Sequence, residues 1–141
     1  MEFFPDLNIL KVSELLQVVS PQTRLEIILA IGTGEACVCH LEAVLKLRQA
    51  YISQHLMTLR EARVITARRE GRYIFYRLEN PAVLELVQQA IRLTGQSPEE
   101  LVEAQRLAAQ DCNCPICMPS AEAGTQQACT RRQLSDTEQS L

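Results

Sequence analysis

The sequence predicts a mainly α protein with a small β-hairpin, arranged as a winged helix-turn-helix with an additional C-terminal helix. Three observations predict it. Six segments read as helices. One pair of segments, Val64–Arg68 and Tyr73–Leu78, alternates with strand period and directly follows two short helices joined by a tight turn. From Arg60 to Arg77, six arginines stand against two glutamates, a local +4 around that pair.

The first helix is expected over Asn8–Val19, where Ile9, Val12, Leu15, Leu16 and Val19 form one apolar stripe. Ser20-Pro21 reads as an N-cap followed by proline at the first helical position. The second helix then runs from about Gln22 to Ile31 with Leu25, Ile28 and Leu29 inward, and Gly32-Thr33-Gly34 ends it. A third, short helix covers roughly Cys39–Lys46. After a turn at Leu47-Arg48, a fourth covers Gln49 to about Ala62, burying Ile52, Leu56 and Leu59. Glu70-Gly71 is the hairpin turn. Pro81 starts a fifth helix to about Leu93, with Val83, Leu84, Val87 and Ile91 on one face. Gly95 breaks it. Ser97-Pro98-Glu99-Glu100 supplies a cap, a proline and first-turn acids for a sixth, to about Gln110. From Asp111 the chain is cysteine-rich, then polar, and residues 121–141 are expected to be largely disordered. The predicted division is therefore 1–95, the winged helix-turn-helix unit; 96–111, the additional helix; and 112–141, a cysteine-containing tail.

The 141 residues are about one domain's worth, and 47% apolar content is ordinary for a globular chain. No apolar run is long enough to span a bilayer, and 1–10 lacks the basic start of a signal peptide, so no membrane partner and a cytoplasmic location are expected. There, six cysteines indicate metal or redox chemistry more than a disulfide framework. The net charge of −3 does not exclude nucleic acid, because seven acids against three arginines after Gly95 mask the basic hairpin in the sum.

In a winged helix-turn-helix the second helix of the pair enters the major groove. Its outward positions are Gln49, Tyr51, Ser53, Gln54, His55 and Thr58. Glutamine reads adenine through two hydrogen bonds, and serine or threonine serves base or phosphate. Arg68, Arg69 and Arg72 at the hairpin suit phosphate or the minor groove. Each polar position alone is equally well an ordinary solvated side chain; the combination of helix pair, turn and arginine hairpin carries the reading. Tyr73, Phe75 and Tyr76 are expected to pack in the sheet and not to stack on bases.

The stretch SPQTRLEIILAIGTGEACVCHLEAVLKLRQAYISQHLMTLREARVITARREGRYIFYRL, Ser20–Leu78, resembles the ArsR/SmtB family of metal-responsive repressors. CVC-x-L, SQHLMTLREA and RREGRYIFYRL carry the resemblance in combination. It implies a homodimer of four helices, two strands and a fifth helix, which binds a palindromic double-stranded operator when metal-free and leaves it on binding metal. This chain departs from the pattern at two places. Where the family often has glycine after REA it has Arg63, so that turn closes differently or under strain. Where the family often has serine it has Arg48, which adds a candidate phosphate contact.

Thiolates select soft ions: trivalent arsenic, Cd(II), Pb(II), Cu(I) or Zn(II). Residues two apart in mid-helix point about 200° apart, so Cys37 and Cys39 can converge only at a helix start or in extended chain. Gly34-Glu35-Ala36 before them permits that. The resemblance places the CVC motif at the family's ligand position. The family's other site, an Asp-x-His pattern on the fifth helix, has no counterpart in Pro81–Leu93, which disfavours a Zn(II), Co(II) or Ni(II) sensor of that kind. Two cysteines leave a site incomplete, and Cys112, Cys114 and Cys117 in DCNCPIC are the candidates to complete it. That cluster also fits a separate structural zinc site or an oxidisable or persulfide-forming switch. Cys129 is taken as a bystander, and His40 as a ligand or a polar cap-region side chain. A thiol oxidoreductase is set aside, because its C-x-x-C would need a βαβ setting that the tail lacks.

Overall fold

A computed structural model describes residues 8–109. In chain order the elements are α1 (Ile9–Val19), α2 (Gln22–Ile31), β1 (Ala36–Cys37), α3 (Val38–Leu45), α4 (Gln49–Glu61), β2 (Ile65–Glu70), β3 (Tyr73–Leu78), α5 (Ala82–Leu93) and α6 (Pro98–Ala108). The predicted winged helix-turn-helix with an added helix is what forms. The tail cysteines 112, 114, 117 and 129, and the expected disorder of 121–141, lie outside the described residues. Among the described residues no helix is long and apolar enough to cross a membrane.

Asn8 caps α1, its side chain accepting from the Leu10 N–H at 3.0 Å. The Ser20-Pro21 pair is displaced by one position from the expected start of α2. Ser20 closes α1 through its N–H to the Leu16 carbonyl, and Pro21, with extended ψ, takes the cap position of α2. The Pro21 carbonyl accepts from the Arg24 and Leu25 N–H groups, so the helix starts without a side-chain cap.

The core gathers Ile27 and Ile28 of α2, Leu41 of α3, Ile52, Leu56 and Leu59 of α4, Ile65 of β2, and Val83 and Val87 of α5. The α4 residues lie at i, i+4 and i+7, one stripe of a 3.6-residue period, so burying them turns the opposite face of α4 to solvent. The inward face of α2 comprises Ile27, Ile28, Leu29 and Ile31, with Leu25 only partly buried.

The sheet has three antiparallel strands in the order β1-β3-β2. The hairpin is longer than predicted on its first arm, and its loop is Gly71-Arg72 in place of Glu70-Gly71. Gly71 has φ 59, the positive value that a two-residue hairpin loop asks of its first position. β1 was not predicted: two residues are too few to show a period.

Arg63 closes α4 in the left-handed conformation, φ 61. Its N–H donates to the Arg60 carbonyl, and that of Val64 reaches back to Leu59. Both Val64 and Leu59 are buried. This is the Schellman arrangement that the family's glycine would adopt without a Cβ penalty. Arg63→Gly is therefore expected to raise unfolding stability by about 1 kcal/mol, read as a later urea midpoint at unchanged slope.

α6 folds back on the reading unit. Ser97 caps it, accepting from the Glu100 N–H. The Gln105 side chain donates to the Glu26 carbonyl of α2 at 3.0 Å. Lys46, itself left-handed at the end of α3, donates to the Ala108 carbonyl at 3.2 Å. The additional helix thus spans from α2 to the turn between α3 and α4.

Candidate functional site

The chain passes from extended to helical conformation between the two cysteines of the CVC motif. Cys37 ends β1 and is the cap residue of α3, with φ −92 and ψ 166. Cys39 is the second residue of the helix. The 200° divergence of mid-helix neighbours therefore does not apply, and the two sulfurs lie 2.8 Å apart, with Cys39 disulfide-bonded. Cys37 is 0% and Cys39 2% exposed. They form a small cluster with buried Phe75, flanked by Ala43 and Tyr73. His40 follows, half-buried. Among the described residues no group of three or more His, Cys, Asp or Glu side chains could hold a metal ion, so an ion at this pair of sulfurs would need further ligands from outside those residues.

One helical turn of chain beyond α3, α4 presents the reading positions. Arg48 is its cap residue and exposed, its carbonyl accepting from Tyr51 and Ile52. Gln49 donates to the Ser53 hydroxyl at 3.1 Å, Thr58 donates to the Gln54 carbonyl at 3.2 Å, and Gln54 is exposed. Tyr51 packs edge-on against His55, ring centroids 4.7 Å apart. His55 is half-buried, and its Nδ1 accepts from Arg24 Nε of α2 at 3.0 Å. Burial, then the Arg24 charge, pushes its pKa below the ordinary histidine value. It tethers α4 to α2, which leaves Nε2 as the ring nitrogen able to face a partner.

The three wing arginines differ. Arg69 and Arg72 are exposed, and among the described residues neither forms an ion pair. Arg68 grips Glu35 with two parallel hydrogen bonds, 3.2 Å from Nε and 2.6 Å from Nη2. It also pairs with Glu70 and lies 4.9 Å above the Phe75 ring. The Arg68 hydrogen bonds hold the Glu35 carboxyl below the usual carboxylate range. Phe75 and Tyr76 are buried in the sheet. Glu35, read from sequence only as part of a permissive loop, is a half-buried partner of the wing. Nothing local in the sequence announces a pairing with a residue 33 positions away.

A short helix pair with an exposed reading face, followed by a basic hairpin, defines a winged-helix DNA-binding protein. The pattern described as "Bacterial regulatory protein, arsR family" matches residues 21–67. The "Arsenical resistance operon repressor" of Escherichia coli (strain K12) is 34% identical over 103 residues, 71% of this chain and 87% of that protein. The chain belongs to the ArsR family of transcriptional regulators and is not an enzyme. Among solved structures it is similar to HlyU from Vibrio cholerae N16961, with TM-score 0.59 and 31% identity, covering 64% of this chain and 99% of that one. It is also similar to the AntR antimony-specific transcriptional repressor, with TM-score 0.57 and 26% identity, covering 67% and 92%.

Proposed function

We propose that the protein is a homodimeric, cytoplasmic repressor that binds a palindromic operator and is released by a thiophilic ion held by cysteine thiolates. The observation that carries this reading is the approach of the Cys37 and Cys39 sulfurs to 2.8 Å at the start of the helix preceding α4. Two thiolates on one tetrahedral ion lie about 3.8 Å apart. Ligation therefore asks that Cys39, which is disulfide-bonded in this structure, be reduced and that the two sulfurs separate slightly, with Cys112, Cys114 and Cys117 supplying the remaining ligands. Thiolate-only coordination suits trivalent arsenic, Cd(II) or Pb(II), with Zn(II) a weaker fit. That the similar proteins are named an arsenical resistance operon repressor and an antimony-specific transcriptional repressor supports the metalloid.

Ion binding in this reading shifts α3 and with it the register of the two α4 helices on DNA. Coupling of this kind is typically about 1–3 kcal/mol, or roughly 5- to 150-fold in operator affinity. Titrating the reduced protein with As(III), Cd(II) and Pb(II), while following thiolate-to-metal absorption and operator binding together, tests it. Absorption without release, or release without absorption, defeats it. The same sulfur proximity favours one second reading, a thiol-oxidation or persulfide switch on the same fold. In that case oxidant or persulfide, and no metal, releases the operator.

For DNA, Arg48 and the exposed Arg69 and Arg72 meet phosphate, and Gln49, Tyr51, Ser53, Gln54, His55 and Thr58 face bases or backbone. Arg72→Ala is expected to weaken binding to all sequences alike and to lower the slope of log affinity against log salt by about one contact's worth, near 0.9. Gln54→Ala should instead change base preference at constant slope. An unchanged slope for Arg72→Ala would remove the wing from the phosphates.

A further inference from the structure

The sheet register puts Cys37, Phe75 and Arg68 in one row across all three strands, since Cys37 of β1 pairs with Phe75 of β3, and Phe75 with Arg68 of β2. Directly opposed residues of antiparallel strands share a face. The coordinates bear this out: Phe75 packs against the two cysteines on one side and carries the Arg68 guanidinium 4.9 Å above its ring. Glu35, two residues before Cys37 along nearly extended chain, closes the row into a ring by its two hydrogen bonds to Arg68. The cysteine pair and the wing are therefore joined twice, through the Phe75 ring and through the Glu35–Arg68 fork.

We propose that Glu35, Arg68 and Phe75 form a latch that ties the wing to the cysteine pair, and that Arg68 serves as a coupling residue between them and not as a phosphate contact. This inference rests on the sensing role given to Cys37 and Cys39 above. An ion settling on the two sulfurs must displace the packing around them, because both are buried beneath Phe75 and no larger donor group is at hand among the described residues. Moving Phe75, or β1 with the preceding Glu35, moves the Arg68 partners, and with them the strand β2 that carries Arg69. The ion pair is partly exposed, at 46% for the Arg68 and 25% for the Glu35 side chain, so it adds little to stability. Its two-pronged geometry fixes direction, which is what transmission requires.

Arginine and lysine separate the two roles. Lysine replaces arginine at a phosphate but cannot make the fork to a carboxylate. Arg68→Lys is expected to keep the metal-free operator affinity and its salt slope, and to keep the thiolate-to-metal absorption at the same ion concentration. The ion-induced loss of operator affinity should shrink by about 3- to 20-fold. Glu35→Gln, nearly isosteric and remote from the hairpin tip, should do the same, and the two together should lose no more than either alone. Far-UV circular dichroism checks that each variant is folded, and Glu35→Gln carries the test if Arg68→Lys is not. Full release in both variants, or additive losses, overturns the latch. So does a neutral Arg68→Gln whose salt slope falls as that of Arg72→Ala does. Should the unaltered protein bind no ion, the sensing reading falls first and takes the latch with it, an outcome told apart by the missing absorption.

Discussion

Replacing Cys37 and Cys39 together by serine is expected to leave metal-free operator binding intact and to abolish release by the ion. Both sulfurs sit outside the core that aligns α4, in their own cluster with Phe75. Serine keeps their volume approximately, so the reading helix retains its Ile52, Leu56 and Leu59 anchors. What disappears is soft-ligand affinity. A hydroxyl does not replace a thiolate on arsenic or cadmium, so the whole proposed coupling of roughly 5- to 150-fold should vanish. Fluorescence anisotropy on a labelled operator, with and without ion, reads this directly. Removing Cys112, Cys114 and Cys117 together should raise the ion concentration needed for release and preserve the direction of the response, whereas Cys129→Ser should change nothing. If the Cys37/Cys39 double variant is still released at the same ion concentration, the tail cluster alone is the sensor and the sulfur pair at the start of α3 has another role.

Much of this fold is legible in the sequence, and the reason is local. The α4 stripe of Ile52, Leu56 and Leu59 is one period of one helix, so the sequence alone identifies its buried side and hence the side it turns to solvent. The Ser97 cap and the Gly71 loop are similarly written within a few residues, whereas Asn8, read as the first helical residue, is the cap of α1. What could not be read depends on partners distant in the chain. β1 exists only because Cys37 and Ala36 find β3. Counting arginines gave the hairpin a basic tip, but the count cannot tell that Arg68 is engaged by Glu35 while Arg69 and Arg72 stand exposed. Likewise the chemistry of CVC permitted convergence at a helix start, and the extended ψ of Cys37 is what brings the sulfurs together. Ser20 misled because Ser-Pro resembles a cap, whereas the preceding helix uses the serine to finish.

The second large effect concerns assembly. α1 leaves Ile9 79%, Leu10 59%, Val12 48% and Leu16 45% exposed, and α5 leaves Leu93 88% exposed. A row of apolar side chains on an N-terminal helix, and an apolar end on α5, cost solubility unless another surface covers them. A second copy is the partner that a palindromic operator would demand. In a two-fold interface each substitution acts twice. Burying one leucine contributes about 1.5–3 kcal/mol, so Leu16→Glu should cost the dimer at least about 3 kcal/mol, before any penalty for burying two carboxylates. That is more than a hundredfold in dimer dissociation. Because Leu16 is exposed in the single chain, the fold itself should tolerate the change. Sedimentation of the reduced protein at micromolar concentration is expected to give a dimer, and Leu16→Glu a monomer with unchanged far-UV circular dichroism. Operator affinity should fall in parallel by about 10²- to 10⁴-fold, since two linked reading heads become one. A monomeric unaltered protein, or a Leu16→Glu variant that remains dimeric, would mean that α1 does not hold the two reading helices at palindromic spacing, and recognition of a two-fold operator would need another interface.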